Sequence, residues 1–155
     1  MHFTLVDRIL SLTDESAVTL KNVSLAEEYL QDHFATFPVL PGVLMIESLV
    51  QAARLVMERR AESAAGLATE PIGEHVPRYP NQRWVLGKAR ALKYGAFVRP
   101  GAALRIEVNL AKVNDDGSVD FKAQALLIEP QSTVPPPVAA AGRITLRPVR
   151  SAVFA

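Results

Sequence analysis

Apolar side chains fill most of the run from Val43 to Met57, as Val43-Leu44-Met45-Ile46, Leu49-Val50, Ala52-Ala53 and Leu55-Val56-Met57. A helix apolar on all sides is a buried one, so this stretch predicts a buried central helix. Pro41-Gly42 marks its start, because proline suits a first helical turn and not an interior. Elsewhere the pattern changes period. Residues 4 to 10 predict a short amphipathic helix or turn, and 16 to 23 alternate as a strand with one buried face. Residues 24 to 30 predict either a short helix, with Ser24 and Glu27 as a capping box, or a plain connector. Glu58-Arg59-Arg60-Ala61-Glu62 reads as a solvated helix end with its arginines near the negative end of the dipole, and 63 to 83 as a long loop.

Further strands are predicted at 84 to 86, 88 to 94, 103 to 110, 119 to 128 and 141 to 148, with Asp115-Asp116-Gly117-Ser118 as a hairpin signal. The proline-rich break at 130 to 137 joins neighbouring strands, since too few residues follow it to build a second core. One buried helix with about five or six strands, mostly in hairpins, predicts an α+β fold, an antiparallel sheet wrapped around the helix. All of residues 1 to 155 are expected to form one domain.

Composition narrows the function. A formal charge of +1, from 17 basic and 16 acidic residues, gives no field that would favour nucleic acid or an anionic membrane. With no cysteine, disulfides, a thiolate nucleophile and cysteine-ligated zinc are excluded, and a cytoplasmic setting fits. The first eight residues carry no signal-peptide pattern. The apolar core of the helix, about 15 residues, falls short of the roughly 20 that a membrane span needs.

Candidate chemistry lies where polar groups interrupt the apolar run. A buried carboxylate is costly without a partner, which singles out Glu47. Gln51 is one turn further along the same face and can orient a carboxylate but not transfer protons. Arg54 is seven positions from Glu47, two turns away, and a pair between them is expected to be strained. The first turn, at Gly42, Val43 and Leu44, offers backbone N–H groups without intrahelical partners, at the positive end of the dipole. His33, on an irregular segment closed by Pro38 and Pro41, can turn back toward that helix end. Base, carboxylate and backbone donors in one apolar cavity are the inventory for removing a proton next to a carbonyl.

These residues resemble a known family. His33-Phe34, Pro38-Val39-Leu40-Pro41-Gly42-Val43 and Glu47, with Gln51-Ala52, are similar to the active-site signature of the FabZ/FabA-type 3-hydroxyacyl-acyl carrier protein dehydratases. The FabZ branch places a glutamate fourteen positions after its histidine, as here (47 minus 33 is 14). Phe3 to Leu10, Lys21-Asn22-Val23-Ser24 and Val98-Arg99-Pro100-Gly101 resemble other segments of that family. Asp32, Ala35 and Thr36 depart from it, standing where it has glycine, proline and glycine.

The resemblance implies the hot-dog fold, pairing of such sheets into a homodimer or a trimer of dimers, and dehydration of a 3-hydroxyacyl thioester to the trans-2-enoyl thioester in fatty-acid or related lipid biosynthesis. His33 and Glu47 would be catalytic, and the N–H groups of Val43 and Gly42 would polarise the thioester carbonyl. Gln51, Asp32 and Phe34 would support them, Asp32 either as a turn residue or as an electrostatic neighbour of His33. No cofactor is implied beyond phosphopantetheine, which carries the substrate on acyl carrier protein. A hot-dog thioesterase and an inactive acyl-binding protein remain alternatives.

His2 and His75 read as surface residues, and the three histidines lack the spacing of a helical zinc site, so no metal is expected. Arg90, Lys93, Arg99, Arg143, Arg147 and Arg150 are a solvated face, unless they rim the pocket mouth and meet acyl carrier protein and its phosphopantetheine phosphate.

Overall fold

The computed structural model describes residues 3–67 and 84–149. Six antiparallel strands form one sheet: β1 (Arg8–Leu12), β2 (Ser16–Asn22), β3 (Trp84–Tyr94), β4 (Ala103–Val113), β5 (Val119–Ile128) and β6 (Val138–Pro148), in the order β1-β2-β4-β5-β6-β3. One long helix, α1 (Gly42–Ala64), lies against the sheet and touches every strand. This is the hot-dog arrangement expected from the sequence.

Period-2 alternation puts one face of each central strand on the helix. Leu104, Ile106 and Val108 of β4, Phe121 and Ala125 of β5, and Ile144 and Leu146 of β6 are fully buried against Leu49, Val50, Ala53 and Val56 of α1. The β4–β5 turn forms as predicted. Gly117 takes φ 79°, which glycine adopts without steric cost, and the Asp116 carboxylate accepts from Ser118 N at 2.9 Å.

Four expectations are corrected. Residues 8 to 12 are a strand paired with β2, not part of a helix. Its approach, Phe3 to Leu5, is held by the Gln51 amide, which accepts from Leu5 N (2.8 Å) and donates to Phe3 O (2.9 Å), as a neighbouring strand would. Second, Ser24 and Glu27 form no capping box. Only a 3-10 turn, Glu28–Leu30, is present, without a side-chain cap, and the Glu27 carboxylate instead takes a hydrogen bond from buried Lys21 Nζ at 2.6 Å.

Third, the helix end is only partly solvated: Ala61, Glu62 and Ala64 are exposed, but Arg59 and Arg60 are half-buried and precede the last turn, which holds no basic residue. Arg60 Nη1 donates to Asp14 O (3.1 Å) and Ser63 Oγ to Asp14 Oδ1 (2.7 Å), docking the last turns on the β1–β2 turn. Fourth, α1 is not buried all round, since Val43 is 70% exposed at its first turn. The strands expected at 84 to 86 and 88 to 94 are one, bent by a bulge where Ala91 takes φ 51°. His75 and most of the predicted loop lie outside the described residues, as do His2 and Arg150.

Candidate active site

Glu47, Gln51 and Arg54 rise from one face of α1 and meet at a single oxygen. Glu47 Oε1 accepts from Gln51 Nε2 at 3.2 Å and from Arg54 Nη1 at 3.0 Å. The expected strain in the second contact is absent. Seven residues turn the helix to within about 20° of the starting direction, and side chains lean toward the helix N-terminus, so the long arginine reaches back to the glutamate. Arg54 Nε also donates to Trp84 O at 2.8 Å, which anchors the guanidinium to the first residue of β3. The side chains of Arg54 and Glu47 are 16% and 35% exposed, so the cation lies deeper than the carboxylate.

At the helix start, Pro41 O accepts from both Leu44 N (2.9 Å) and Met45 N (3.1 Å). That occupies the Leu44 donor, which the sequence had left free. The N–H groups of Gly42 and Val43 donate to no backbone carbonyl among the described residues. The Tyr94 ring closes over this end so tightly that a Cβ on Gly42 would come within 2.9 Å of it.

His33 is set by its own loop. Its Nδ1 lies 3.0 Å from Val39 O, a group that can only accept, so Nδ1 carries a proton, and Nε2 is the nitrogen whose lone pair is available in the neutral form of the ring. Val39 N returns a bond to His33 O (3.0 Å), and the Phe34 ring stacks on the imidazole at 4.4 Å across a cis His33-Phe34 peptide. Leu40 N donates to Val98 O (2.8 Å), the Arg99 guanidinium lies 4.1 Å from the Phe37 ring centroid, and Phe97 meets Phe37 edge-on. The β3–β4 connection therefore supports the loop from outside.

The family model for the FabA-like domain matches residues 1–134. This chain belongs to the FabA-like family. It is 42% identical over 112 residues to the 3-hydroxyacyl-acyl-carrier-protein dehydratase FabZ of Pelotomaculum thermopropionicum, covering 72% of this chain and 69% of that one. To the same-named protein of Dichelobacter nodosus it is 37% identical over 124 residues, with 79% and 76% covered. Among solved structures, one from the dehydratase heterocomplex ApeI:P of Xenorhabdus doucetiae shares the fold at TM-score 0.55 and 16% identity, covering 94% of this chain and 98% of that one.

The backbone of the His33 loop closes without the signature's glycines. Phe34 and Phe37 exchange backbone hydrogen bonds (3.3 and 3.0 Å), closing a tight turn with Ala35 and Thr36 at its tip. Neither of these, nor Asp32, takes a positive φ, so no glycine is required there. Asp32 is exposed and makes no hydrogen bond or ion pair with His33. Among the described residues no such contact joins His33 to Glu47 within one chain either. Of the described basic residues singled out from the sequence, Arg99 packs against the His33 loop through Phe37, while Arg90 pairs with Asp120 on the sheet (3.4 Å). Tyr94 was missed, since an aromatic in an exposed strand gives no sequence signal of contact with a helix end.

Proposed function

We propose that this chain removes water from a 3-hydroxyacyl thioester, giving the trans-2-enoyl thioester in fatty-acid or related lipid biosynthesis. The observation that carries the reading is the 3.0 Å contact between His33 Nδ1 and Val39 O. With Nδ1 committed to Val39 O, Nε2 is a free base that takes the proton from C2. The N–H groups of Val43 and Gly42, at the positive end of α1, stabilise charge developing on the thioester oxygen. Glu47, beside the 3-hydroxyl, helps that group leave. The C2–H electrons become the C2–C3 double bond as the C3–O bond breaks, and the proton and hydroxide lost sum to one water.

The same reading makes residues 1 to 155 one hot-dog domain that needs no cofactor and works in the cytoplasm, with its substrate carried by acyl carrier protein. The names of its relatives support the carrier. Among the described residues no group of side chains suited to a metal and no helix able to cross a membrane is found. It also makes the active unit a homodimer, alone or as a trimer of dimers. Strand β3 has a hydrogen-bonded neighbour on one side only, and an edge of this length is a template for another strand. Val43, Phe34 and Phe97 leave large apolar surfaces exposed at the helix start and on the segments beside it.

Incubation with a 3-hydroxyacyl thioester, following enoyl absorbance and free thiol together, tests the reaction. Enoyl without thiol is the expected result. Thiol release would make the protein a thioesterase, and neither product would leave it an acyl-binding protein.

A further inference from the structure

Glu47 is restrained from two directions by parts of the chain far from it in sequence. Gln51 Nε2 reaches its Oε1 from one side while the same amide is locked to Phe3 O and Leu5 N. Because Leu5 N can only donate, the Gln51 oxygen must face it, and the amide nitrogen must face Glu47. From the other side, Arg54 Nη1 reaches the same oxygen while its Nε is held by Trp84 O. A guanidinium is a planar fork with fixed donor directions, so anchoring one nitrogen to the sheet also fixes the position of another.

Both donors converge on Oε1, and Oε2 accepts none among the described residues. We propose that Arg54 is a positioning residue for the dehydration, clamping Oε1 of Glu47 from the protein side so that Oε2 is the oxygen presented to the substrate 3-hydroxyl. This rests on the dehydratase reading and adds to it a residue outside the resemblance to the signature. The burial order fits: the more buried cation holds Oε1 of a more exposed carboxylate, which leaves Oε2 for the substrate. A reacting group displaced by about 1 Å can lose roughly 10²-fold in rate, so the clamp matters in the transition state more than in substrate binding.

The test compares wild type, Arg54→Met, Arg54→Lys, Glu47→Gln and the double variant Glu47→Gln/Arg54→Met by kcat, KM and thermal melting, with a 3-hydroxyacyl thioester. Arg54→Met is expected to lower kcat by about 10-fold or more with KM within about twofold, the split of an interaction made in the transition state. Lysine, which keeps the charge but cannot hold Trp84 O and Glu47 in one fork, should recover only part of the rate. The decisive result is non-additivity: once Glu47 is glutamine, losing Arg54 should cost little more.

Wild-type kcat in either Arg54 variant would overturn the proposal, as would losses that multiply in the double variant. If Arg54→Met does not fold, the kcat of Arg54→Lys decides by the same criterion. A variant that melts earlier but keeps full kcat in its folded fraction assigns Arg54 a structural role alone. Absence of enoyl product from the wild type would instead overturn the dehydratase reading, and this proposal with it.

Discussion

The carbonyl of Val39 holds Nδ1 of His33 at 3.0 Å, and this hydrogen bond decides which nitrogen of the ring is basic. A loop histidine donating to a backbone carbonyl is also the plainest structural role for such a residue. Here both descriptions use the same bond, because fixing the proton on Nδ1 is what frees Nε2. With His33 as the base and Glu47 beside the leaving hydroxyl, His33→Ala and Glu47→Gln should each reduce turnover by about 10² or more. Steady-state rates on variants with wild-type circular dichroism check this. Near-wild-type turnover in either variant would remove that residue from the mechanism.

No described contact joins His33 to Glu47 within one chain, and β3 leaves an open edge. A site completed across a two-fold axis, with His33 of one subunit facing Glu47 of the other, predicts complementation. Mixing His33→Ala and Glu47→Gln subunits should restore activity in the heterodimers, which carry one intact site. With subunit exchange verified by mass spectrometry, no recovery would place the whole site in a single chain.

Glu58 gives a pH-dependent stability prediction. Burial, then repulsion from Glu62, raises its pKa from 4.5 to about 7, opposed by Arg54. Its Oε1 is buried and accepts no hydrogen bond among the described residues. The folded state therefore holds this proton more tightly than the unfolded chain does, so stability is lost as pH rises from 4.5 toward 7 and stays lower above that. Glu58→Gln should leave melting at pH 4.5 nearly unchanged and raise it at pH 8. After allowance for a half-exposed group the gain is about 1 kcal/mol, or roughly 2–4 °C. Parallel pH profiles for the two proteins would mean that Glu58 finds a partner in the folded state.

The sequence made some of this legible through period and others not at all. The mostly apolar run announced α1, and alternation with Asp115-Asp116-Gly117-Ser118 announced the β4–β5 hairpin, because both are set by local burial and turn chemistry. The segment before β1 misled because its backbone partner is a side chain, Gln51, on a distant helix. The same reason hid the support of Glu47. A count of helical turns makes Arg54 look too far away, whereas the lean of helical side chains and the Trp84 carbonyl bring it to the carboxylate. The signature located His33, but only the fold showed Val39 orienting it and Arg99 bracing its loop.

The most direct measurement runs the reaction backward in deuterium oxide. Given a trans-2-enoyl thioester, the wild-type protein should yield the 3-hydroxyacyl thioester with one deuterium at C2, seen by mass spectrometry and proton NMR, and His33→Ala should lose that product by about 10²-fold or more. Release of the thiol with an enoic acid bearing no deuterium at C2 would contradict dehydration chemistry at this site.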